Sequence, residues 1–169
     1  MQETSALSGG DVASALKGAL RSFAQSVVVV TTADVDGNHF AMPATAVTPV
    51  SMDPPSMLVC VNRSASSHKI LEAGANFCLN ILSTDNFDVA QCAGGPSGTD
   101  RFAVGNWKAE AGLPYLADAQ AVMFCHQREK FSYGSHDIFI GDVRSVIQNE
   151  NCDPLLYLDG AYRRVGPKL

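Results

Sequence analysis

The sequence predicts a mainly β fold with flanking helices, in which an antiparallel barrel carries the helices on its outside. Six or more segments have strand character, and several are apolar on both faces, as strands are when a curved sheet is covered on both sides. The helical segments are too few and too irregularly placed for repeated βαβ units. Because no repeat or linker interrupts the chain, we expect one domain over residues 11–169, preceded by a flexible tail over residues 1–10.

The first elements follow from changes in hydrophobic spacing. Asp11 is placed to cap a helix that continues to about Gln25, and a β-branched strand follows over Val27–Thr32. Asp36-Gly37 predicts a hairpin turn, and a second strand starts near His39. In the helix, apolar residues recur at helical spacing and predict one buried face: Val12, Ala15, Leu16, Ala19, Leu20 and Phe23.

The middle of the chain alternates strands and short helices. Ser56–Asn62 and Asn76–Ser83 predict strands, and Ser66–Ala73 between them predicts a short helix that Gly74 stops. A second short helix is expected over Thr84–Cys92.

The last third is predicted to be mostly strand. Residues 95–117 are rich in loop-forming residues and predict no regular element. Two long strands follow at about 118–131 and 136–148, and a last one lies near 155–164.

Composition excludes several classes of function. The 169 residues include 12 Lys and Arg against 17 Asp and Glu, a net charge of −5, so a basic footprint for nucleic acid or an anionic membrane is absent. No apolar run approaches the roughly 18 residues that span a bilayer, and residues 1–10 lack the pattern of a secretory signal. The five cysteines are scattered with no CxxC pair, which favours reduced thiols in a cytoplasmic protein.

The segment Asn62–His68 is a candidate anion site. It places Arg63, several hydroxyl and amide groups and an imidazole just before a helix N-terminus. Free N–H groups at a helix start and a guanidinium both suit a phosphate. The alternative is that Ser66 or Ser67 only caps the helix.

Two other segments are candidates for ligand contact. Ala41–Pro55 has no charge before Asp53 and consists mostly of small and hydroxyl side chains, which would let a flat ligand approach the backbone. The alternative is a strand with a bulge at Pro49 and a turn at the two prolines. Arg101 is a second basic residue in a glycine-rich loop, and the residues alone favour a surface ion pair with its neighbour Asp100.

Other chemistry has no support in the sequence. The four histidines are too dispersed to predict a metal site, so we expect none. The motifs GxSxG and GxGxxG are both absent, and Asp and Glu residues form no convincing catalytic pair.

Seven short motifs in order identify a resemblance that extends from about Leu20 to Val165. The motifs are Ala44–Pro55, Leu58–Ser64, Asn76–Leu82, Ala93-Gly94, Asp100–Phe102, His136–Gly141, and Pro154–Tyr157 with Gly160–Tyr162. With these motifs in this order, the sequence resembles the short-chain flavin reductase family, the reductase components of two-component flavin-dependent monooxygenases.

This resemblance implies an FMN-binding split β-barrel that holds FMN or FAD non-covalently, usually as a homodimer. It implies that Asn80 and the Cys92–Gly94 turn flank the flavin, that Arg101 reaches a phosphate, and that His136 helps to hold the nicotinamide nucleotide. Two departures are Ser135, where the family often has Asp, and Cys92, where it often has Phe. The implied contacts to the ring are Ala44, Thr45, Ala46, Val47, Thr48 and Ser51; those to the ribityl-phosphate end are Asn62, Arg63, Ser64, Ser66 and Ser67; Ala93 and Gly94 complete the flanking turn.

The resemblance and the residues together predict an NAD(P)H:flavin oxidoreductase. With NADH or NADPH as donor, it would reduce FMN or FAD and release the product to a monooxygenase, with transient or no direct contact. Hydride transfer between stacked rings requires placement rather than a protein acid or base, so the missing catalytic pair is expected. Two alternatives remain: a flavoprotein that retains its flavin to reduce another acceptor such as a corrinoid, and a flavin-binding protein without turnover.

Overall fold

A computed structural model of the chain describes residues 11–96 and 98–167, and the predicted tail over residues 1–10 lies outside them. The described residues are mainly β with few helices, which confirms the predicted class. The helices are α1 (Asp11–Leu20), α2 (His68–Glu72) and α3 (Phe87–Ala93), the last preceded by a 3-10 turn at Thr84–Asn86. The strands are β1 (Gln25–Ser26), β2 (Val28–Ala33), β3 (His39–Ala44), β4 (Val47–Met52), β5 (Pro55–Asn62), β6 (Phe77–Ile81), β7 (Trp107–Glu110), β8 (Leu113–Leu116), β9 (Ala121–Tyr133), β10 (His136–Gln148), β11 (Leu156–Leu158) and β12 (Ala161–Arg163).

The main sheet has seven antiparallel strands in the order β3-β2-β6-β9-β10-β5-β4. Its two edge strands, β3 and β4, are consecutive in the chain and are joined by Thr45 and Ala46 alone. Because two residues reach only a few ångströms, the two edges must meet at this end, and the sheet curls into a barrel that stays split elsewhere. β11 lies between β1 and β12 in a small second sheet, and β7 and β8 form a hairpin.

Two apolar clusters explain why several strands are apolar on both faces. One lies on the concave face of the sheet and includes Val30, Val61, Phe77 and Phe139. The other lies on the outer face, where α3 and the β7–β8 hairpin cover the sheet, and its members include Val29, Cys78, Leu82, Ala90, Leu116 and Val122. Strands β2 and β6 are therefore buried on both sides, as the sequence predicted.

Helix α1 differs from its prediction in length and in burial. It ends at Leu20 rather than near Gln25, because the Gln25 backbone pairs with β11 in the small sheet. Its apolar face was predicted to be buried, and this is wrong for the single chain: Leu16 is 55% exposed, Leu20 52% and Phe23 beyond the helix 60%. None of the residues of α1 is buried.

Residues 107–116 were predicted as loop and instead form the β7–β8 hairpin. Each strand has only four residues of mixed polarity, so neither shows a clear alternation. The turn between them consists of Ala111 and Gly112, both with positive φ (49° and 81°), as in the two-residue turns that match the twist of a hairpin.

The single strand predicted near 155–164 is instead two short strands, β11 and β12, joined by a turn at Asp159 and Gly160. The other predicted elements agree with the structure to within a few residues. The bulge expected at Pro49 appears as a register shift between Pro49 and Ser51. No helix among residues 11–96 and 98–167 is long and apolar enough to cross a bilayer.

Candidate functional site

Two segments that the sequence singles out are neighbours at the end of β5. We call Ala44–Ser51 the ledge and Asn62–Ser67 the corner. The amide N–H of Cys60 donates to the carbonyl oxygen of Ala46 at 3.0 Å, and Val47 pairs with Val59 across the β4–β5 ladder. The start of the ledge therefore lies two residues along β5 from the corner.

The ledge is not uniform along its length. Ala46 and Thr48 are exposed and Thr45 is half-buried, so this part presents small side chains and backbone at the surface. Ser51 lies at the far end of β4, where its hydroxyl donates to the Asp53 carbonyl (3.0 Å) and accepts from the Asp53 amide (2.9 Å). The structure thus uses Ser51 in a turn and does not bring it to the corner.

Asn62 shapes the corner. Its side-chain oxygen accepts hydrogen bonds from the Ser64 amide at 2.9 Å and the Ser64 hydroxyl at 2.8 Å, and its carbonyl accepts from the Ala65 amide at 2.9 Å. These bonds make an Asx turn, which reverses the chain directly after β5. Asn62 and Ser64 therefore act on the backbone of the corner.

The Arg63 side chain bonds to protein on one side and is exposed to solvent on the other. Its Nε donates to Oδ1 of Asp137 at 3.0 Å; the Arg63 side chain is 48% exposed and that of Asp137 only 2%. The other carboxylate oxygen, Oδ2, lies 2.9 Å from Nε2 of His68, whose side chain is 5% exposed. An ionised carboxylate only accepts, so His68 Nε2 carries the hydrogen. The hydrogen bond from His68, followed by those from Arg63 and Ser132, lowers the pKa of Asp137 to about 2.

The low pKa of Asp137 predicts a loss of stability in acid. A carboxylate whose pKa falls from 3.8 unfolded to about 2 folded stabilises the native state above the unfolded value. That contribution is lost as the pH falls through this window. We therefore expect urea unfolding at about pH 7 to find Asp137→Asn less stable than the wild type, and the difference to shrink at about pH 2. A difference that does not depend on pH would contradict this assignment.

Ser66 and Ser67 differ in exposure. Ser66 is exposed, whereas Ser67 is buried at the N-cap position of α2. The Ser67 hydroxyl makes no capping bond, and its buried oxygen has no hydrogen-bond partner. The alternative that Ser67 merely caps the helix therefore has no support in the geometry. Because α2 has only five residues, its dipole adds little to any anion binding here.

His136 lies beside the corner. It is opposite Asn62 in the β5–β10 ladder, and the Arg63 amide donates to the Ser135 carbonyl at 3.1 Å. Nδ1 of His136 lies 2.9 Å from the Ser135 hydroxyl, so Ser135 bonds the ring. His136 is exposed, and within the described residues Nε2 makes no hydrogen bond to protein. Although Ser135 stands where the family often has Asp, it still provides a hydrogen-bonding partner for His136.

Asn80 does not have the role that was expected for it. It was expected to flank a flavin, but it is 0% exposed and its amide group is used inside the outer apolar cluster. Nδ2 donates to the Val29 carbonyl at 2.9 Å and lies 3.3 Å from the Thr31 hydroxyl, while Oδ1 accepts from the Leu116 amide at 2.8 Å. A buried amide must satisfy its hydrogen bonds within the protein, so Asn80 joins β2, β6 and β8 rather than facing a ligand.

Arg101 bonds to the backbone at the end of α3. Its Nη1 donates to the carbonyls of Cys92, at 3.1 Å, and Ala93, and its Nη2 lies 3.4 Å from that of Pro96. The guanidinium therefore satisfies free carbonyls at the C-terminus of α3 and does not pair with Asp100, while its contact with a phosphate stays a prediction.

The turn after α3 lies beside the end of β3. A Cβ added at Gly94 would be 4.0 Å from Cγ of Pro43, next to the start of the ledge. The Ala93 side chain is buried, whereas Gly94 is exposed. Only the backbone at Gly94 is thus available to a ligand.

Sequence reasoning missed Asp137 as part of the site, and it counted the His68 imidazole in the candidate anion segment without predicting its bond to a buried carboxylate. A signal for Asp137 was present, because Asp137, Phe139 and Gly141 alternate along β10 and are all buried. A carboxylate at an inward position requires a cationic or hydrogen-bonding partner, so its position predicts a buried ion pair.

An open cleft of about 890 Å³ is a separate feature of the surface. It is lined by the β2–β3 turn, the α2–β6 connection and the β7–β8 turn. The ledge and the corner contribute nothing to it, so the candidate site is an open surface rather than this cleft.

The chain is similar to flavin reductases in sequence and in structure. Residues 20–166 match the family described as flavin reductase like domain. The reductase component of the FADH(2)-dependent resorcinol hydroxylase of a Rhizobium species is 36% identical over 151 residues, covering 88% of this chain and 84% of that protein. FMN reductase (NADH) RutF 1 of Methylorubrum extorquens is 36% identical over 153 residues, covering 89% of this chain and 76% of that protein.

A solved structure agrees with these relatives. The NADH:FAD oxidoreductase SgcE6 of Streptomyces globisporus C-1027, in complex with NAD and FAD fragments, superposes with a TM-score of 0.86 at 27% identity, covering 96% of this chain and 98% of that one. The curled, split sheet together with these relatives places the chain among oxidoreductases of the split-barrel class. The chain belongs to the flavin reductase-like domain family, and both the predicted fold and the predicted enzyme, a flavin reductase, are confirmed.

Proposed function

We propose that the protein reduces FMN or FAD with NADH or NADPH and supplies the reduced flavin to a partner monooxygenase, with transient or no direct contact. The observation that carries this proposal is the grouping of the ledge, Arg63 and His136 at the closed end of the barrel. The names of the relatives support it, because they include an FMN reductase that uses NADH and the reductase component of a hydroxylase.

The residues at this end fit a flavin. The exposed Ala46 and Thr48 offer backbone and small side chains to a flat ring, and the open edge of Arg63 offers a guanidinium to a phosphate. When bound, a flavin supplies the ring that accepts a hydride from reduced nicotinamide. The chain's own residues orient the two ligands, because this transfer requires placement rather than a protein acid or base. We assign the ring to the ledge from Ala44 to Thr48, the phosphate to the corner, and the nicotinamide nucleotide to His136.

The direct test mixes the purified protein with FMN or FAD and with NADH or NADPH. Flavin-dependent loss of nicotinamide absorbance in at least one of the four pairs is the expected result, and the fastest pair identifies the preferred cofactors. A protein that oxidises neither nicotinamide nucleotide in the presence of either flavin would overturn the proposal.

His136→Ala is expected to raise the KM for NADH by about fivefold, the size of one net hydrogen bond, with flavin affinity changed by less than about twofold. The reason is that His136 is exposed opposite Asn62 at the corner, and Ser135 bonds its Nδ1, so we assign it to the nicotinamide nucleotide and the ring of the flavin to the ledge. Steady-state kinetics and flavin titration measure the two effects. His126→Ala, an exposed histidine on β9 outside the site, is the control. Equal losses for both ligands would place His136 on the flavin instead.

We further propose that the protein is a homodimer. The apolar face of α1 supports this, because Leu16, Leu20 and Phe23 are more than half exposed in the single chain. A second copy of the chain would cover them. Light scattering after gel filtration should give a dimer for the wild type and for Lys17→Glu, and a monomer for the double variant Leu16→Glu/Leu20→Glu. A monomeric wild type would exclude the proposal.

We assign the protein to the cytoplasm. All five cysteines are free, and burial raises the pKa of the Cys78 thiol and raises that of Cys125 to about 12. Five unpaired thiols are typical of a reducing compartment, which supports this assignment. Localisation of a tagged protein by cell fractionation is the test, and recovery outside the cytoplasm would contradict it.

A further inference from the structure

We propose that Asp137 is the positioning residue of the corner: it holds Arg63 by Nε, so that the outer guanidinium nitrogens face a ligand phosphate. This inference rests on the proposed function, in which the corner takes the phosphate of a flavin. It assigns a role to a buried carboxylate that itself has no access to the ligand.

The two edges of the Arg63 guanidinium have different surroundings. Nε is directed inward to Oδ1 of Asp137 at 3.0 Å, and the Asp137 side chain is 2% exposed. In the part of the chain that the structure describes, Nη1 and Nη2 of Arg63 make no hydrogen bond to protein, and nearly half of the side chain is open. A guanidinium that is bonded on one side keeps two parallel donors on the other, which is the arrangement that matches a phosphate.

The second oxygen of Asp137 holds the other end of the same segment. Oδ2 accepts from Nε2 of His68 at 2.9 Å, and His68 is the first residue of α2. Arg63 and His68 bracket the serines of the corner, so one carboxylate ties both ends of this segment to β10. The ring of His68 is buried against Phe139, with centroids 5.8 Å apart, which keeps the imidazole in place.

This arrangement matters because arginine is a flexible side chain. A free arginine loses rotamer entropy when it binds a ligand, whereas one that is already held loses less. The backbone adds to the effect, since the Arg63 amide donates to the Ser135 carbonyl at 3.1 Å. Asp137 therefore contributes to phosphate affinity by fixing Arg63 before the ligand arrives.

The test compares FMN, which has a phosphate, with riboflavin, which has none. Asp137→Asn is expected to weaken FMN binding by about tenfold and riboflavin binding by less than about twofold, measured by quenching of flavin fluorescence. In an Arg63→Ala background, Asp137→Asn should cause no further loss of FMN affinity. Asp142→Asn is the matched control, because Asp142 lies on the same strand and pairs with Arg128 and Arg144 instead. Equal losses for FMN and riboflavin would overturn the proposal in favour of a general structural role.

Arg63→Lys tests the same idea. We expect this variant to fold, because the side chain at position 63 is half exposed. A lysine has a single terminal nitrogen group and no inner donor like Nε, so it cannot be held from inside while presenting two outer donors. We expect it to lose FMN affinity as Arg63→Ala does, and wild-type affinity would overturn the proposal. If the wild type itself binds FMN no better than riboflavin, the proposed function of the corner fails. If the wild type binds FMN better than riboflavin, but Asp137→Asn and Arg63→Lys both keep wild-type FMN affinity, this inference fails and the proposed function of the corner stands.

Discussion

Replacing Asn80 with alanine is expected to lower the free energy of unfolding by about 3 kcal/mol and to leave the flavin affinity of the folded protein unchanged. Asn80 is 0% exposed and its amide bonds to Val29, Thr31 and Leu116. Truncation removes these bonds and leaves the buried Leu116 amide without a partner, which costs about 1–3 kcal/mol for that group alone. Urea unfolding measures the first effect and flavin titration the second.

Asn38→Ala is the matched control for this variant. Asn38 is exposed in the β2–β3 turn and bonds only to Asp34, so its loss should cost less than about 1 kcal/mol. If Asn80→Ala had wild-type stability but no longer bound flavin, Asn80 would belong to the ligand site. That result would contradict the structure.

Replacing Arg63 with alanine is expected to weaken flavin binding by about 1.5–3 kcal/mol, because a charged hydrogen bond to phosphate is lost. That is about 10- to 150-fold in Kd. The side chain is 48% exposed, so the protein should fold, although Asp137 loses one of its two strong partners. Titration with FMN gives the affinity, and a thermal melt verifies that the titrated protein is native.

Arg21→Ala is the control for charge. Arg21 forms an exposed ion pair with Asp159 near α1 and touches neither the ledge nor the corner. The Arg21 variant should bind FMN as the wild type does. Unchanged FMN affinity in Arg63→Ala would make Arg63 a surface residue that serves only to neutralise Asp137.

Most of the barrel could be predicted from the sequence because its signals are local. The β-branched run predicted a strand over Val27–Thr32, and the structure has β2 at Val28–Ala33. Pro49 predicted a bulge because proline lacks the N–H that a central ladder requires, and the register shifts there. Dihedral preferences and missing donors act on a residue wherever it lies.

The candidate site was predicted only in part. The ledge and the corner were each selected because they are unusual runs of small or polar residues, and the structure brings the start of the ledge beside the corner. The two arginines looked alike in sequence, because both lie in loops among small residues. Their roles differ in the structure: one faces outward with open nitrogens, and the other satisfies the carbonyls at the end of α3.

The sequence by itself determined where the strands run, which segments are poor in large side chains, and the family to which their order belongs. The tertiary structure alone decided which polar groups are free to meet a ligand. The partner of Arg63 is 74 residues away in the chain, and the amide that bonds Asn80 is 36 residues away. Periodicity and backbone preference act over a few residues, whereas the satisfaction of a buried polar atom depends on whichever strand the fold brings beside it.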